Sequence, residues 1–279
     1  MENFRDLLIK LHYLKLEVHN IYQIIQQLYH KEEFNKATLK QVLGHHYQAY
    51  TELSIEQINQ ILHKLDIRIT TILDDDYPKQ LQTIYMPPLV LFYQGELELV
   101  KQKSIAVIGS RNYTEYGRAS CEYFVDGLVD HGIVVISGLA RGIDQIAHEA
   151  SINRGGKTIA VLGGGLKRIY PKENSKLAQL IGEKQLLISE YSPYEAPQKT
   201  HFPFRNRIVS GLSNGVVVIE AAEKSGTLIT CDYALDQGKD VYVVPGNIFQ
   251  TSSIGANNLI KQGAKLISHI NDILEFFKY

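Results

Sequence analysis

Glycine and arginine stand directly after several short apolar runs in the second half of this sequence. Two of these places combine both residue types, in Gly109-Ser110-Arg111 and in Gly138-Leu139-Ala140-Arg141. Three more carry glycine without arginine, at Gly163-Gly164-Gly165, Ser225-Gly226-Thr227 and Pro245-Gly246-Asn247. Glycine lets the backbone approach a ligand closely, and the forked guanidinium group of arginine matches the geometry of phosphate. These residues therefore predict a phosphate-binding crevice built from several loops.

The apolar runs that precede these loops have the length and composition of β-strands. They lie at Ile105–Ile108, Val134–Ile136, Thr158–Leu162, Leu186–Ser189, Val216–Ile219 and Val241–Val244. Helical patterns separate them, and the alternation is typical of an α/β protein with a mostly parallel sheet and helices on both faces. In such a sheet the ligand site lies beyond the carboxyl ends of the strands. Ala264–Ile267 predicts an edge strand, and a terminal helix is expected from about Asn271.

Residues 1–65 have a different pattern, because leucine and isoleucine recur there at helical spacing. Ser54 is the expected N-cap of a helix that runs to about Leu65. We therefore predict a small all-helical domain over residues 1–65, separate from one large domain over residues 66–279. The large domain opens with two short strands, Ile67–Leu73 and Leu89–Tyr93, and we interpret the acidic triplet Asp74–Asp76 between them as a solvated turn.

Composition limits the possible classes. The chain has 279 residues, of which 44% are hydrophobic, so a sizeable core is expected. The net charge of −1 means that a nucleic-acid role must depend on local patches. Two distant cysteines, Cys121 and Cys231, suit a reducing compartment and are interpreted as core residues. We find no signal peptide and no apolar run of ~18 residues, so we predict a cytoplasmic protein without membrane contact.

Two common phosphate-binding motifs do not fit this sequence. Gly163 and Gly165 begin the dinucleotide pattern G-x-G-x-x-G, but Arg168 stands at its third glycine. Gly156-Lys157-Thr158 resembles the end of a P-loop, but Ser151 replaces the earlier glycine and the triplet precedes a strand. We therefore expect neither a dinucleotide cofactor nor a P-loop nucleotide, and no other cofactor is predicted.

Positive charge concentrates between Arg154 and Arg207, where ten basic residues face four acidic ones in a chain of net charge −1. Aromatic residues lie among these charges, at Tyr170, Tyr191, Tyr194, Phe202 and Phe204. Basic side chains neutralise phosphates, and bases stack on aromatic rings without sequence preference. Near the strand ends we interpret four basic residues as a track for a polyanion, namely Lys172, Lys199, Arg205 and Arg207.

Catalytic patterns are sparse. Asp144 and His148 stand four residues apart on one predicted helix, and we interpret them as capping and packing residues. The histidines lack the spacing of a zinc site, so we predict no metal. We predict a protein that is not an enzyme. The alternative is a nucleotide-processing enzyme similar to phosphoribohydrolases, with Glu220 and Ser225-Gly226-Thr227 in the crevice, although the Pro-Gly-Gly lead of such enzymes is missing.

A long series of ordered motifs resembles the DNA-processing protein A family (DprA, also called Smf), over roughly residues 66–270. The matching stretches are GSRNYTEYG at 109–117, VVISGLARGIDQIAH at 134–148, GGKTIAVLGGGL at 155–166, IYPKEN at 169–174, LISEY at 187–191, FPFRNRIVSGLS at 202–213, VVVIEAAEKSGTLIT at 216–230, VPGN at 244–247 and GANNLIKQGAKLI at 255–267.

The resemblance implies an extended Rossmann-like domain that binds single-stranded DNA, protects incoming DNA in natural transformation and loads the RecA recombinase. It implies that the Gly109-Ser110-Arg111 loop holds backbone phosphate. With the residues above, the predicted DNA-binding set is Gly109, Ser110, Arg111, Gly138, Arg141, Lys172, Lys199, Phe202, Arg205, Asn206 and Arg207. It also implies a homodimer formed through the end of the Rossmann part, with Asn258, Ile260 and Leu266 at the interface.

Two further expectations follow from the family. The N-terminal helices are similar in kind to its sterile-alpha-motif-like (SAM-like) domain. Many members carry a C-terminal winged-helix domain, and we expect none here because the sequence ends at Tyr279, directly after the Rossmann part. A third functional reading is a protein-interaction scaffold in which DNA binding is incidental.

Overall fold

The computed structural model describes residues 3–30 and 35–278. Helices occupy the part before the first strand, at α1 Phe4–Tyr13, α2 Val18–Tyr29, α3 Lys36–Leu43, α4 Tyr47–Glu52 and α5 Ile55–Lys64. Ser54 caps α5 as predicted, since its hydroxyl oxygen accepts a hydrogen bond from the backbone N–H of Gln57. A side-chain cap of this kind satisfies one of the free N–H groups of a helix start.

One sheet contains the nine strands of the described chain. They are β1 Arg68–Thr71, β2 Val90–Gly95, β3 Ser104–Ile108, β4 Val134–Ser137, β5 Thr158–Leu162, β6 Leu186–Ser189, β7 Gly215–Val218, β8 Asp240–Val243 and β9 Lys265–Leu266. Their order is β1-β2-β6-β5-β4-β3-β7-β8-β9. β2 runs antiparallel to both neighbours and all other pairs are parallel, so the predicted mostly parallel α/β sheet is confirmed.

Helices cover both faces of this sheet, as predicted. The later helices are α6 Glu115–Asp130, α7 Ile143–Asn153, α8 Ser175–Lys184, α9 His201–Leu212, α10 Gly226–Asp236, α11 Ile254–Lys261 and α12 Asn271–Leu274. Buried residues of α9, α10 and α11 pack with Ala106 and Val218 on one face. Those of α6, α7 and α12 pack with Val107 and Val217 on the other face. The alternation of neighbouring strand residues between faces follows from the two-residue repeat of a strand.

The N-terminal helices share a hydrophobic cluster with the sheet. Leu8 and Leu11 of α1 belong to the same cluster of buried residues as Val90 and Phe92 of β2, and the ring of Tyr13 meets that of Phe92 edge-on at 6.0 Å between centroids. Arg5 also forms an ion pair with Asp74, the first acid of the predicted turn, at 2.9 Å. The helices thus pack closely on the strands, while the domain division at residue 65 stays a prediction.

Candidate functional site

The order of the strands creates a crevice between β3 and β7. From β3 the chain moves outward through β4, β5 and β6, and it then returns to the other side of β3 with β7, β8 and β9. The loops after β3 and β7 therefore diverge, which is where ligands bind in open α/β sheets. A cavity of about 370 Å³ opens here, between the loop after β3 and the first turns of α9 and α10. We call this cavity the crevice.

The loop after β3 is closed by its own hydrogen bonds. The Ser110 hydroxyl donates to the carbonyl oxygen of Asn112 at 2.8 Å and accepts from the Asn112 N–H at 3.1 Å. The Ser110 carbonyl accepts from the N–H of Ile143 at 3.2 Å, which ties the loop to α7. The Arg111 side chain is exposed and lines the crevice. This arrangement fixes the backbone and leaves the arginine charge available to a ligand.

Gly138 lies at the base of the crevice, where a side chain would not fit. A Cβ atom there would lie 2.5 Å from Nη2 of Arg205 and 2.8 Å from Oδ2 of Asp144. Arg205 is buried and donates hydrogen bonds to the carbonyl oxygens of Gly138 and Val161. Asp144 accepts from the N–H of Gly138 at 3.1 Å. Burial raises the pKa of Asp144 and lowers the pKa of Arg205, while the charge of each partner opposes the shift.

A smaller recess of about 80 Å³ continues the crevice toward β5 and contains aromatic rings. Tyr170 and Phe202 lie in it with ring centroids 5.5 Å apart, and Tyr170 is 57% exposed. Arg111 and Gly138 line both the crevice and this recess, so the two are continuous. Arg141 also lines the recess and forms an exposed ion pair with Glu173. Charge and aromatic surface therefore occur along one open path.

Lys224 is an exposed crevice residue that the sequence reasoning missed. It precedes α10, whose N-cap Ser225 accepts a hydrogen bond from the Thr227 N–H at 3.2 Å. Positive charge gathers at a helix N-terminus, and an adjacent lysine adds to it. The signal in the sequence was Lys224 directly before the Ser-Gly-Thr loop.

The structure brings most of the predicted DNA-binding residues together. Those that line the crevice are Gly109, Ser110, Arg111, Gly138, Phe202, Arg205 and Asn206. Arg141 lines the adjoining recess. Lys172 and Lys199 are exposed in flanking loops, the first directly after Pro171 of the recess and the second just before α9.

Arg207 is a correction to the sequence interpretation, because it is buried in the core. Its guanidinium forms two hydrogen bonds to the carboxylate of Glu190, at 2.7 and 2.8 Å. It also stacks on the Phe204 ring at 3.7 Å and donates to the carbonyl of Met86 at 3.1 Å. A buried arginine with its charge already paired offers nothing to a phosphate, so Arg207 leaves the proposed site.

Glu220, the acid of the enzyme alternative, is also buried. Its carboxylate accepts a hydrogen bond from the N–H of Thr114, the N-cap residue of α6, at 3.0 Å. A Cβ atom at Gly117 would lie 2.3 Å from Oε2 of Glu220, so the carboxylate sits directly against the first turn of α6. This environment gives Glu220 a role at the start of that helix.

Other predicted features also have clear places. Asp144 caps the loop at Gly138, and the Nδ1 atom of His148 lies 2.7 Å from the Thr158 hydroxyl, so both act in packing. Both cysteines are buried and unpaired. Among the described residues no cluster could hold a metal ion. Over the same residues, no helix has the length and apolar character needed to span a bilayer.

The residues predicted for a dimer interface lie near the far edge of the sheet. Asn258 and Ile260 belong to α11, and both are half-buried. Leu266 belongs to β9, the terminal strand of the sheet order, and is 51% exposed. An edge strand with an exposed leucine is a surface that proteins usually cover.

The fold and the crevice define the class, a Rossmann-like α/β protein whose ligand site faces the carboxyl ends of its strands. Within that class the chain belongs to the DNA recombination-mediator protein A family, whose model matches residues 68–278. The resemblance found in the sequence is thereby confirmed.

Known relatives agree with this assignment. The chain is 48% identical over 209 residues to the DNA processing protein DprA of Streptococcus pneumoniae, covering 75% of this chain and 74% of that protein. It is 47% identical to DprA of Bacillus subtilis over 200 residues, covering 71% and 67%. The X-ray structure of the S. pneumoniae protein has a TM-score of 0.87 at 39% identity and covers 99% of this chain and 98% of that one. A Helicobacter pylori DprA structure, described for its single-stranded DNA binding mode, has a TM-score of 0.68 at 30% identity and covers 75% and 95%.

Proposed function

We propose that this protein binds single-stranded DNA along the crevice without sequence preference. The observation that carries the proposal is the continuity of the crevice with its recess, because exposed Arg111, Lys224 and Arg141 lie on the same path as the rings of Tyr170 and Phe202. Single strands are bound in this way elsewhere, by a cationic groove that follows the backbone and by rings on which bases stack. Membership of a family of DNA-processing proteins supports the same ligand.

Each part of the path has a separate task in this proposal. Arg111 and Lys224 neutralise phosphates at the crevice, where the start of α10 also favours an anion. Tyr170 and Phe202 stack bases, at ~1–3 kcal/mol for each base. Lys172 and Lys199 extend the positive track from the flanking loops. Arg205 and Asp144 hold the base of the crevice in shape and make no direct phosphate contact.

The binding role extends to a cellular one. We propose that the protein protects incoming single strands in the cytoplasm and delivers them to the RecA recombinase during transformation and recombination, consistent with the names of its relatives. It acts by binding and is not an enzyme. Burial of Glu220 and its hydrogen bond to Thr114 support binding over the phosphoribohydrolase alternative, because that reaction needs an accessible acid.

Fluorescence anisotropy with a labelled oligo-dT strand over a salt series tests the DNA proposal. Removal of a charge-assisted contact costs ~1.5–3 kcal/mol, so Arg111→Ala should weaken binding about 10- to 100-fold. It should also reduce the slope of log K against log salt by about 0.7, the value for one phosphate of a single strand.

The matched control for this test is Arg154→Ala. Arg154 is a half-exposed arginine that follows α7 and precedes β5, at the opposite edge of the sheet. Its removal should leave both affinity and salt slope unchanged. Equal losses in the two variants would mean that DNA follows overall charge, and no binding by the wild type would move the weight to a small ligand.

We also propose a homodimer through Asn258, Ile260 and Leu266. Two protomers on one strand would bind more tightly than one through effective concentration. Leu266→Asp should give a monomer by light scattering over a range of protein concentrations. The matched control is Leu73→Asp, because Leu73 is 53% exposed, close to the 51% of Leu266, but lies beyond β1 at the other end of the sheet. A dimer that persists in Leu266→Asp contradicts this interface.

A further inference from the structure

A second cavity of about 220 Å³ lies between the N-terminal helices and the sheet. The segment between α1 and α2 forms one wall, and the loop after β6 with the first turn of α9 forms the other. Its volume is below the ~300–1,000 Å³ of a drug-sized site, which suits one ring system. The family model begins at residue 68, so one wall lies outside the matched region.

The first turn of α9 separates the second cavity from the crevice. Phe202 and Asn206 line the crevice, whereas His201 and Phe204 line the second cavity. Residues one or two apart on a helix point to different sides, since each residue turns the helix by about 100°. The exposed Lys199 precedes this turn. A strand in the crevice therefore has a short route to the second cavity.

Two stacked rings in the cavity wall provide an aromatic surface. Tyr191 and His201 are nearly parallel, at 11°, with centroids 4.0 Å apart. Both are buried, at 5% exposure, and both line the cavity. A further flat ring could extend this stack, and Met86 and Phe204 add apolar surface beside it.

The Tyr191 hydroxyl is a polar group without a partner at this place. Across the described residues its oxygen makes no hydrogen bond, and it is not sealed in the core. A buried hydroxyl nearly always has a partner, so this one is set for a ligand or water.

Neighbouring groups favour a ligand with a neutral polar edge. Oε1 of Glu195 lies 4.0 Å from Nε2 of His201. Burial raises the pKa of Glu195 and lowers the pKa of His201, so the neutral form of each is favoured. A neutral carboxyl group both donates and accepts, as the edge of a base requires. Lys15 is exposed on the cavity wall, where it suits the phosphate of a nucleotide.

We propose that the second cavity binds a nucleobase, which extends the Tyr191–His201 stack and hydrogen-bonds to the Tyr191 hydroxyl and to Glu195. The base comes from a free nucleotide or from the strand in the crevice, and both offer the same chemistry. The free-nucleotide source is independent of the proposed function, whereas the strand source depends on it.

The probe is 2-aminopurine, whose fluorescence falls when it stacks on aromatic rings. One arm titrates free 2-aminopurine deoxyribonucleoside monophosphate. The other arm uses oligo-dT strands that carry a single 2-aminopurine at successive positions. With the wild type we expect quenching of the free nucleotide, of one position in the strand, or of both.

Two variants assign the quenching to the cavity. Thr200→Trp should fill it and abolish the signal; Thr200 lines the cavity, is exposed and makes no side-chain cap to α9, so folding should be unaffected. Thr51→Trp, on exposed α4, is the matched control and should keep the signal. Tyr191→Phe keeps the ring but removes the hydroxyl, so affinity should fall about three- to tenfold with full quenching at saturation.

The crevice variant Arg111→Ala separates the two proposals. Quenching of the free nucleotide should survive in it, even where oligonucleotide binding is lost. An absence of cavity-dependent quenching in both arms, while anisotropy shows that the strand binds, overturns the second cavity and leaves the proposed function standing. Quenching that persists in Thr200→Trp places the stacked base elsewhere and also overturns it.

Discussion

Two sets of charged residues meet at the crevice and differ in what their charges do. The rim, which we define as Arg111, Arg141 and Lys224, is exposed. The layer beneath it contains Arg205 and the Arg207–Glu190 pair, whose side chains are almost fully buried. All four arginines looked equivalent in the sequence. The difference shows that burial decides whether a positive charge is available to a ligand or already used by the fold.

One helix illustrates the division. Arg205 and Arg207 both belong to α9 and stand two residues apart, so their side chains leave the helix about 200° from each other. Arg205 reaches the carbonyl of Gly138 beneath the crevice, and Arg207 reaches Glu190 and Met86. Rim changes should therefore alter affinity, and changes in the layer beneath should alter stability.

The largest effect is expected from Arg207→Met. Loss of one partner of a buried ion pair leaves the Glu190 carboxylate without compensation, at a cost of ~3–5 kcal/mol in the free energy of unfolding. Urea denaturation measures this cost. The double variant Arg207→Met with Glu190→Gln should recover much of it, because the lone charge is gone. An intact stability with a lower salt slope for DNA would instead return Arg207 to the binding site.

A second effect depends on pH and arises at His148. Burial lowers the pKa of His148 from 6.5 to about 3. As pH falls from 6.5 the unfolded state takes up a proton that the folded state refuses, so stability is present above 6.5 and is lost toward pH 3. The loss is up to ~1.4 kcal/mol for each pH unit. His148→Gln should have a flatter profile in urea denaturation at a series of pH values, and an unchanged slope would contradict a buried, neutral imidazole.

Gly138→Ala tests the contact between the two sets. The added methyl group would press on Arg205 and Asp144, which are both held in place, so we expect a loss of ~1–3 kcal/mol in stability and weaker DNA binding. Gly226→Ala is the control in the same crevice, since a Cβ atom there meets open space. Thermal denaturation and anisotropy measure both variants. Equal behaviour would mean that the base of the crevice is not tightly packed.

The smallest effect concerns Arg141, whose charge Glu173 partly occupies. Exposed pairs contribute ~0.2–1 kcal/mol, so Glu173→Gln should free the arginine and raise DNA affinity about two- to fivefold in anisotropy. Glu122→Gln removes a similar exposed partner from Arg118 on α6, and its affinity should not change. A weaker complex in Glu173→Gln would show that Glu173 itself assists the strand.

Much of the fold could be predicted from the sequence because its signals are local. Leu186–Ser189 was predicted with the observed bounds of β6, since a short apolar run between polar residues is read directly. The antiparallel direction of β2 was not predicted, because periodicity does not report which strand becomes a neighbour. The packing of α1 on β2 was missed for a similar reason: an apolar stripe shows that a face is buried, not against what.

The site was predicted in part. The glycine loops identified the crevice because strand ends of a parallel sheet must meet at one edge. Arg207 was assigned wrongly because a count of charges contains no information on burial. Lys224 was missed because it lies beyond the basic segment that ended at Arg207.

The hydrophobic cluster that joins α1 to β2 has a consequence for how the molecule unfolds. Apolar side chains of the helices and strands share that cluster, so neither part can melt without exposing the other to water. We expect one calorimetric transition, with calorimetric and van't Hoff enthalpies equal. A chain that starts at residue 66 would expose Val90 and Phe92 and would tend to aggregate. The helices would then serve as an internal chaperone for the sheet, whatever they bind.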